Sequence, residues 1–151
     1  MIEGYLFKNN NNLNKIPIMK KVVLTAYDIN PYKGSESGTG WNFSMQLSRF
    51  NKIYAITREN NKGDIDKYLS ENNIDSSNIE FLYYDLPYYL RFWKRGGRGA
   101  FLYYNLWQLF LPIFILKRKI KFDATHHINF HASKIRNFKT FLLLLFATKL
   151  I

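Results

Sequence analysis

Eleven residues, Pro31-Tyr-Lys-Gly-Ser-Glu-Ser-Gly-Thr-Gly-Trp41, separate a strand-like run from a helix-like one. Lys21-Val-Val-Leu-Thr-Ala-Tyr27 lies just before them and Trp41 to Phe50 just after. A glycine-rich turn between a buried strand and a helix N-terminus is a βα unit. Glycine lets the backbone approach a ligand closely, and the first helical N–H groups point outward at it.

The same alternation continues along the chain. The short apolar run Val22 to Tyr27 reads as a first buried strand, and Ile53 to Thr57, Ile79 to Tyr84 and Phe122 to Ile128 read as three more. Residues 38–50, Lys62 to Asn72 and about Ala100 to Arg118 read as helices. On the first helix, Trp41, Met45 and Ser48 share a face, with Leu47 and Phe50 beside it. Strands alternating with helices predict an α/β fold: a Rossmann-like parallel sheet, flanked by helices, with right-handed crossovers. In such sheets ligands sit outside the carboxyl ends of the strands. The Gly34 loop, Arg58 and the His126-His127 pair all fall at such ends.

A chain of 151 residues has room for one domain with a real core. Its charge of +11 is uneven: residues 1–75 carry ten basic and eight acidic side chains, residues 76–151 twelve and three. A basic half fits an anionic partner, whether nucleic acid, an acidic membrane face or a phosphorylated substrate, and equally a solvated face that binds nothing. With no cysteine there is neither a disulfide framework nor a thiolate metal site, as in a reducing compartment. Residues 1–18 hold four consecutive asparagines and no continuous apolar stretch, so they read as a disordered extension rather than a secretory signal, with Met19 as the expected natural start. Phe101 to Leu116 is free of charge for sixteen residues but contains Asn105, Gln108 and Pro112. A spanning helix needs roughly 20 apolar residues, so a buried or interfacial helix is expected here.

The glycines at 34, 38 and 40 match neither the dinucleotide fingerprint nor a phosphate-binding Gly-Lys-Ser/Thr loop. Spacing alone leaves two readings open, a tight turn and a ligand loop. Adjacent histidines on a strand point to opposite faces, so His126 and His127 are poor joint metal ligands, and no metal site is expected. One of them can still hydrogen-bond a sugar hydroxyl or a phosphate. Lys94-Arg95-Gly-Gly-Arg98, next to Trp93, reads as a basic lip at an acceptor or membrane surface, or as an exposed loop. It lacks the repeats or aromatic pattern of sequence-specific RNA binding, so no specific nucleic acid is expected. Asp28, Glu36 and Asp123 are the carboxylates available for acid–base work.

Taken in order, several blocks resemble the family 4 glycosyltransferases, retaining enzymes of the GT-B fold. They are Lys21 to Tyr27, Pro31-Tyr-Lys-Gly-Ser-Glu36, Gly38-x-Gly-Trp-Asn42 and Ile53-Tyr-Ala-Ile-Thr-Arg58. Tyr84-Asp-Leu-Pro87, Leu90 to Lys94, Gly96 to Gly99, Tyr103-Tyr-x-x-Trp-Gln108 and Phe122-Asp-x-x-His-His127 continue the likeness, which covers about residues 20–131. The resemblance implies that 19–131 is the N-terminal, acceptor-side half of a two-domain enzyme. It implies substrate contacts at Lys33, Gly34, Ser35, Glu36, Gly38 and Arg58, and a substrate-facing histidine at His126 or His127. Where many relatives carry a second glycine, this chain has Lys33.

The likeness fades after His131. Residues 132–151 read as divergent, partly non-native sequence, and the donor-binding half is expected elsewhere, so the chain alone is expected to be inactive. The implied reaction moves a sugar from a nucleotide donor to a saccharide or lipid-linked acceptor, in cell-surface polysaccharide assembly. No cofactor beyond the nucleotide sugar is expected. The implied setting is the cytoplasm, at the inner face of the membrane. Two rival readings are a non-catalytic basic module on an anionic membrane or nucleic acid, and a product without function whose apolar tail aggregates.

Overall fold

The computed structural model describes residues 19–94 and 96–128, with the side chains of 92–98 left aside. Expectations for 1–18 and 129–151, and for the side chains of Trp93, Lys94, Arg95 and Arg98, lie outside what is described.

Four strands, β1 (Lys21–Ala26), β2 (Lys52–Thr57), β3 (Ile79–Tyr83) and β4 (Ala124–Ile128), form one sheet in the order β3-β2-β1-β4. Every pairing is parallel. Helices α1 (Ser35–Ser48), α2 (Lys62–Glu71) and α3 (Gly96–Lys117) make the crossovers. The chain moves outward from β1 to β2 and β3, then returns to β4 on the other side of β1. The result is the Rossmann-like α/β arrangement predicted from the alternation.

Alternation along β1 divides the core. Val22, Leu24 and Ala26 pack with Trp41 of α1 and Ile65 of α2. Val23 faces the other way, with Ile56 and Leu82, onto Tyr103, Trp107, Leu111 and Ile115 of α3. Those four α3 residues are spaced by four, which keeps them on one stripe. Each fully buried aliphatic side chain contributes about 1.5–3 kcal/mol, so both layers are needed to hold a sheet this narrow. The indole of Trp107 also donates to the Tyr84 carbonyl at 2.8 Å, fixing α3 against the end of β3.

α1 begins at Ser35, three residues before the predicted start. The reason lies in two glycines that serve contact rather than turning. A Cβ at Gly38 would lie 2.6 Å from the Lys33 carbonyl oxygen, and one at Gly40 would lie 2.7 Å from that of Asp28. Small side chains continue along the inner face at Ser37, Ser44 and Ser48, so the helix lies close on the sheet around Trp41. Phe50, expected beside that face, falls past the helix end and is 72% exposed.

β4 is aligned to β1 at its start. The Lys21 amide donates to Asp123 Oδ2 at 2.8 Å, and the Asp123 amide donates back to the Lys21 carbonyl at 2.8 Å. The register then sets His126 opposite Leu24 and His127 opposite Thr25.

Candidate functional site at the strand reversal

β1 sends its crossover to one face of the sheet, whereas β4 is reached from the other. The crevice at their carboxyl ends is therefore a topological switch point, the usual ligand position in an open parallel sheet. Three segments meet there: the loop after β1, the start of α1, and the outer strand β4 with the α3 residues above it.

The loop has a rigid base. Arg58, at the end of β2, donates from Nε to the Tyr27 carbonyl at 3.1 Å and from Nη2 to Asp28 Oδ1 at 3.2 Å. Its guanidinium also lies 4.2 Å over the Tyr27 ring, a cation–π contact. Ser37 Oγ donates to the other Asp28 oxygen at 2.5 Å, and the Asn30 amide donates to the Ser37 carbonyl at 3.1 Å. Asn30 Nδ2 reaches Asp64 Oδ2 at 2.6 Å, tying the loop to α2. Burial is the largest influence on Asp28 and opposes its charge. The Ser37 hydroxyl, the Arg58 cation and Asn61 together outweigh it, and its pKa falls below the ordinary 3.8.

On this base the loop presents Lys33, Gly34, Ser35 and Glu36, all exposed. Gly34 is extended at the helix entrance and no side chain caps α1. A Cβ at Gly34 would meet nothing within 4 Å. Ser35 takes a positive φ of 54°, which turns the chain directly into the helix. The first N–H groups of α1 thus face outward beside Lys33, a setting that favours phosphate or carboxylate. Gly38 is half-buried against Lys33, so its part is to bring the loop close to the helix.

The two histidines separate. The His126 ring stacks on Phe43 of α1, centroids 4.7 Å apart, and makes no hydrogen bond to any described residue. His127 faces α3. Its Nδ1 is 2.5 Å from Thr25 Oγ1, and its Nε2 is 3.2 Å from Gln108 Nε2. Thr25 and Gln108 thus engage both ring nitrogens, one as donor and one as acceptor in the neutral ring. Gln108 also bonds the Tyr104 hydroxyl. Burial raises the Tyr104 pKa most, and the charge of Glu36 raises it further, so Glu36 and Tyr104 are within electrostatic reach. A polar chain, Thr25–His127–Gln108–Tyr104, therefore leads across the crevice toward Glu36.

Of the residues predicted from sequence, Lys33, Gly34, Ser35, Glu36 and His127 border this crevice. Arg58 lies behind the loop, 13% exposed, with its donors already directed at Tyr27 and Asp28. His126 is on the opposite face of the sheet. Tyr104, Gln108 and Thr25 had drawn no role of their own. The Tyr103-Tyr-x-x-Trp-Gln108 spacing held the available signal, because four-residue spacing buries Tyr103 and Trp107 and leaves Tyr104 and Gln108 one step around the helix. Among the described residues no three His, Asp or Glu side chains converge as metal ligands would.

Comparison of the chain with models of protein families, with curated proteins and with solved structures finds no match.

Proposed function

We propose that this chain is the acceptor-side domain of a retaining, nucleotide-sugar-dependent glycosyltransferase of the family 4 type. The observation that carries the reading is the switch-point crevice, where the uncapped start of α1, beside Lys33 and Gly34, faces the His127–Gln108–Tyr104 chain. Each part has a use in sugar transfer. The helix N-terminus and Lys33 meet a diphosphate, whose charge grows as the glycosidic bond breaks. Glu36 accepts hydrogen bonds from sugar hydroxyls. His127, with both ring nitrogens engaged by Thr25 and Gln108, positions Gln108 and with it the polar wall that meets the acceptor. The donor is held by a second domain, because transfer requires both substrates in one cleft.

The test is a transfer assay on the product of the gene that encodes the chain. A panel of nucleotide sugars is offered with saccharide and lipid-linked acceptors, and mass spectrometry reads the glycosylated product. Lys33→Ala and Glu36→Gln should lower turnover without changing the far-ultraviolet circular dichroism. A folded protein that carries both domains and forms no product with any donor refutes the proposal.

A second reading, a binding module without chemistry, is favoured by one feature of the charge. Between Asp85 and Asp123 the chain carries eight basic residues and no acidic one. Binding to an anionic partner that falls steeply with salt and ignores nucleotide sugars would select this reading.

A further inference from the structure

α3 is apolar on two sides. Its inner stripe, Tyr103, Trp107, Leu111 and Ile115, is buried on the sheet. Its outer side exposes Phe101, Leu102, Leu109, Phe110, Ile113 and Leu116, each at least 36% accessible. Two more aromatics, Tyr88 and Tyr89, stand out from the short helical segment before it, at 86% and 71%. A groove of about 530 Å³ runs beside the helix, and Phe110 and Ile113 belong to both the groove and the outer side. A soluble surface does not ordinarily leave so continuous an apolar strip uncovered.

The charges around the strip point to its cover. Arg91 is taken up by Glu59 at 3.1 Å, at the edge of the groove. In sequence, Lys94, Arg95 and Arg98 precede the strip, and Lys117, Arg118, Lys119 and Lys121 follow it. No acidic residue interrupts the stretch, and between Phe101 and Leu116 there is no charge at all. A helix of 22 residues is about 33 Å long, so hydrocarbon lies between two cationic ends. Hydrocarbon flanked by lysine and arginine matches a bilayer interface, where apolar side chains enter the acyl boundary and cations stay among anionic headgroups. Nucleic acid fits less well, because a phosphate backbone needs cations along the contact rather than only at its ends. A second copy fits less well too, since a twofold contact would bring seven like charges from each chain together.

We propose that the outer face of α3 docks this domain on an anionic lipid bilayer, the helix lying in the interface. It does not cross. By length and composition Gly99–Lys117 could span, but its inner stripe is committed to the sheet, and crossing would strip Trp107 and Tyr103 from the core. This inference stands apart from the transferase reading.

Vesicle flotation with the full chain tests it. The probes are unilamellar vesicles of phosphatidylcholine alone, and of phosphatidylcholine mixed with phosphatidylglycerol. The chain should bind the anionic vesicles at least about tenfold more tightly, and added salt should weaken that binding. Leu109→Ser with Ile113→Ser, both on the exposed side, should lose about tenfold or more with the circular dichroism unchanged. Lys117→Gln, Arg118→Gln, Lys119→Gln and Lys121→Gln together should weaken the preference for anionic lipid several-fold, leaving the part due to Lys94, Arg95 and Arg98. Equal binding to both vesicles overturns the proposal, as does full binding by the serine variant. So does a dimer that this variant dissociates in a chain that leaves vesicles unbound, or RNA that displaces the chain from the anionic vesicles. None of these outcomes depends on sugar transfer.

Discussion

Arg58 grips Asp28 from the neighbouring strand, Nη2 to Oδ1 at 3.2 Å, with its guanidinium carbon 4.2 Å from the centre of the Tyr27 ring. The pair joins the ends of β2 and β1 under the loop that borders the crevice. Arg58→Ala leaves a half-buried carboxylate without its cation and should lower the unfolding free energy by about 2 kcal/mol. Arg58→Lys should recover little of that, because an ammonium supplies neither the Nε bond to the Tyr27 carbonyl nor the planar guanidinium. Urea denaturation of the two variants measures both effects.

Acid should loosen the same loop. The folded pKa of Asp28 lies below the ordinary 3.8, so the folded state binds its proton more weakly than the unfolded chain does. Its stabilisation is therefore present above the ordinary value and is lost as pH falls through the folded one. Melting temperature should drop on acidification in that range, and Asp28→Asn should show a smaller drop from a lower starting point. Thermal melts across a pH series compare the slopes.

The glycine before α1 and the two inside it should separate by role. Gly34→Ala puts its methyl into open space at an ordinary φ and should change stability by no more than about 0.5 kcal/mol. Gly40→Ala presses a methyl on the Asp28 carbonyl and should cost about 1–3 kcal/mol, despite alanine's better helix propensity. Gly38→Ala should behave like Gly40→Ala. Equilibrium unfolding of the three variants ranks them.

The histidines should separate as well. In the transfer assay, His127→Ala should lower turnover about a hundredfold, the usual effect of misplacing a positioned group. His126→Ala should leave most activity, since its ring contact is with Phe43. Thr25→Val removes the partner of His127 Nδ1 and should reduce turnover while shifting the ring's nitrogen resonances, which NMR detects independently of activity.

Strand positions and the parallel sheet were readable because β1 to β3 are short, largely apolar runs closed by polar or turn residues, and helices intervene; β4, Ala-Thr-His-His-Ile, followed from the alternation rather than from its own apolarity. The α3 helix was readable as one long uncharged run, but which of its faces meets the sheet was not. The start of α1 was misplaced because glycine signals both a turn and a close contact, and only the carbonyls of Lys33 and Asp28 decide which. Opposite faces for His126 and His127 followed from strand alternation. Which of them meets the crevice depended on the placement of Gln108, nineteen residues earlier in the chain. Arg58 could not be separated from a ligand-binding arginine by sequence, since Asp28, thirty residues away, gives no local sign of pairing with it.

The seam between β1 and β4 carries a kinetic consequence. Lys21 and Asp123, like Thr25 and His127, are 102 positions apart. The β1-α1-β2-α2-β3 units can close through much shorter loops, and closure entropy grows with the chain between the partners. The last strand should therefore join late, and the crevice exists only once it has joined. During synthesis the glycine loop would be in place while the wall bearing His127 was still being made. Until α3 was fully made and settled on the sheet, its apolar inner stripe would stay open to solvent and to other nascent chains.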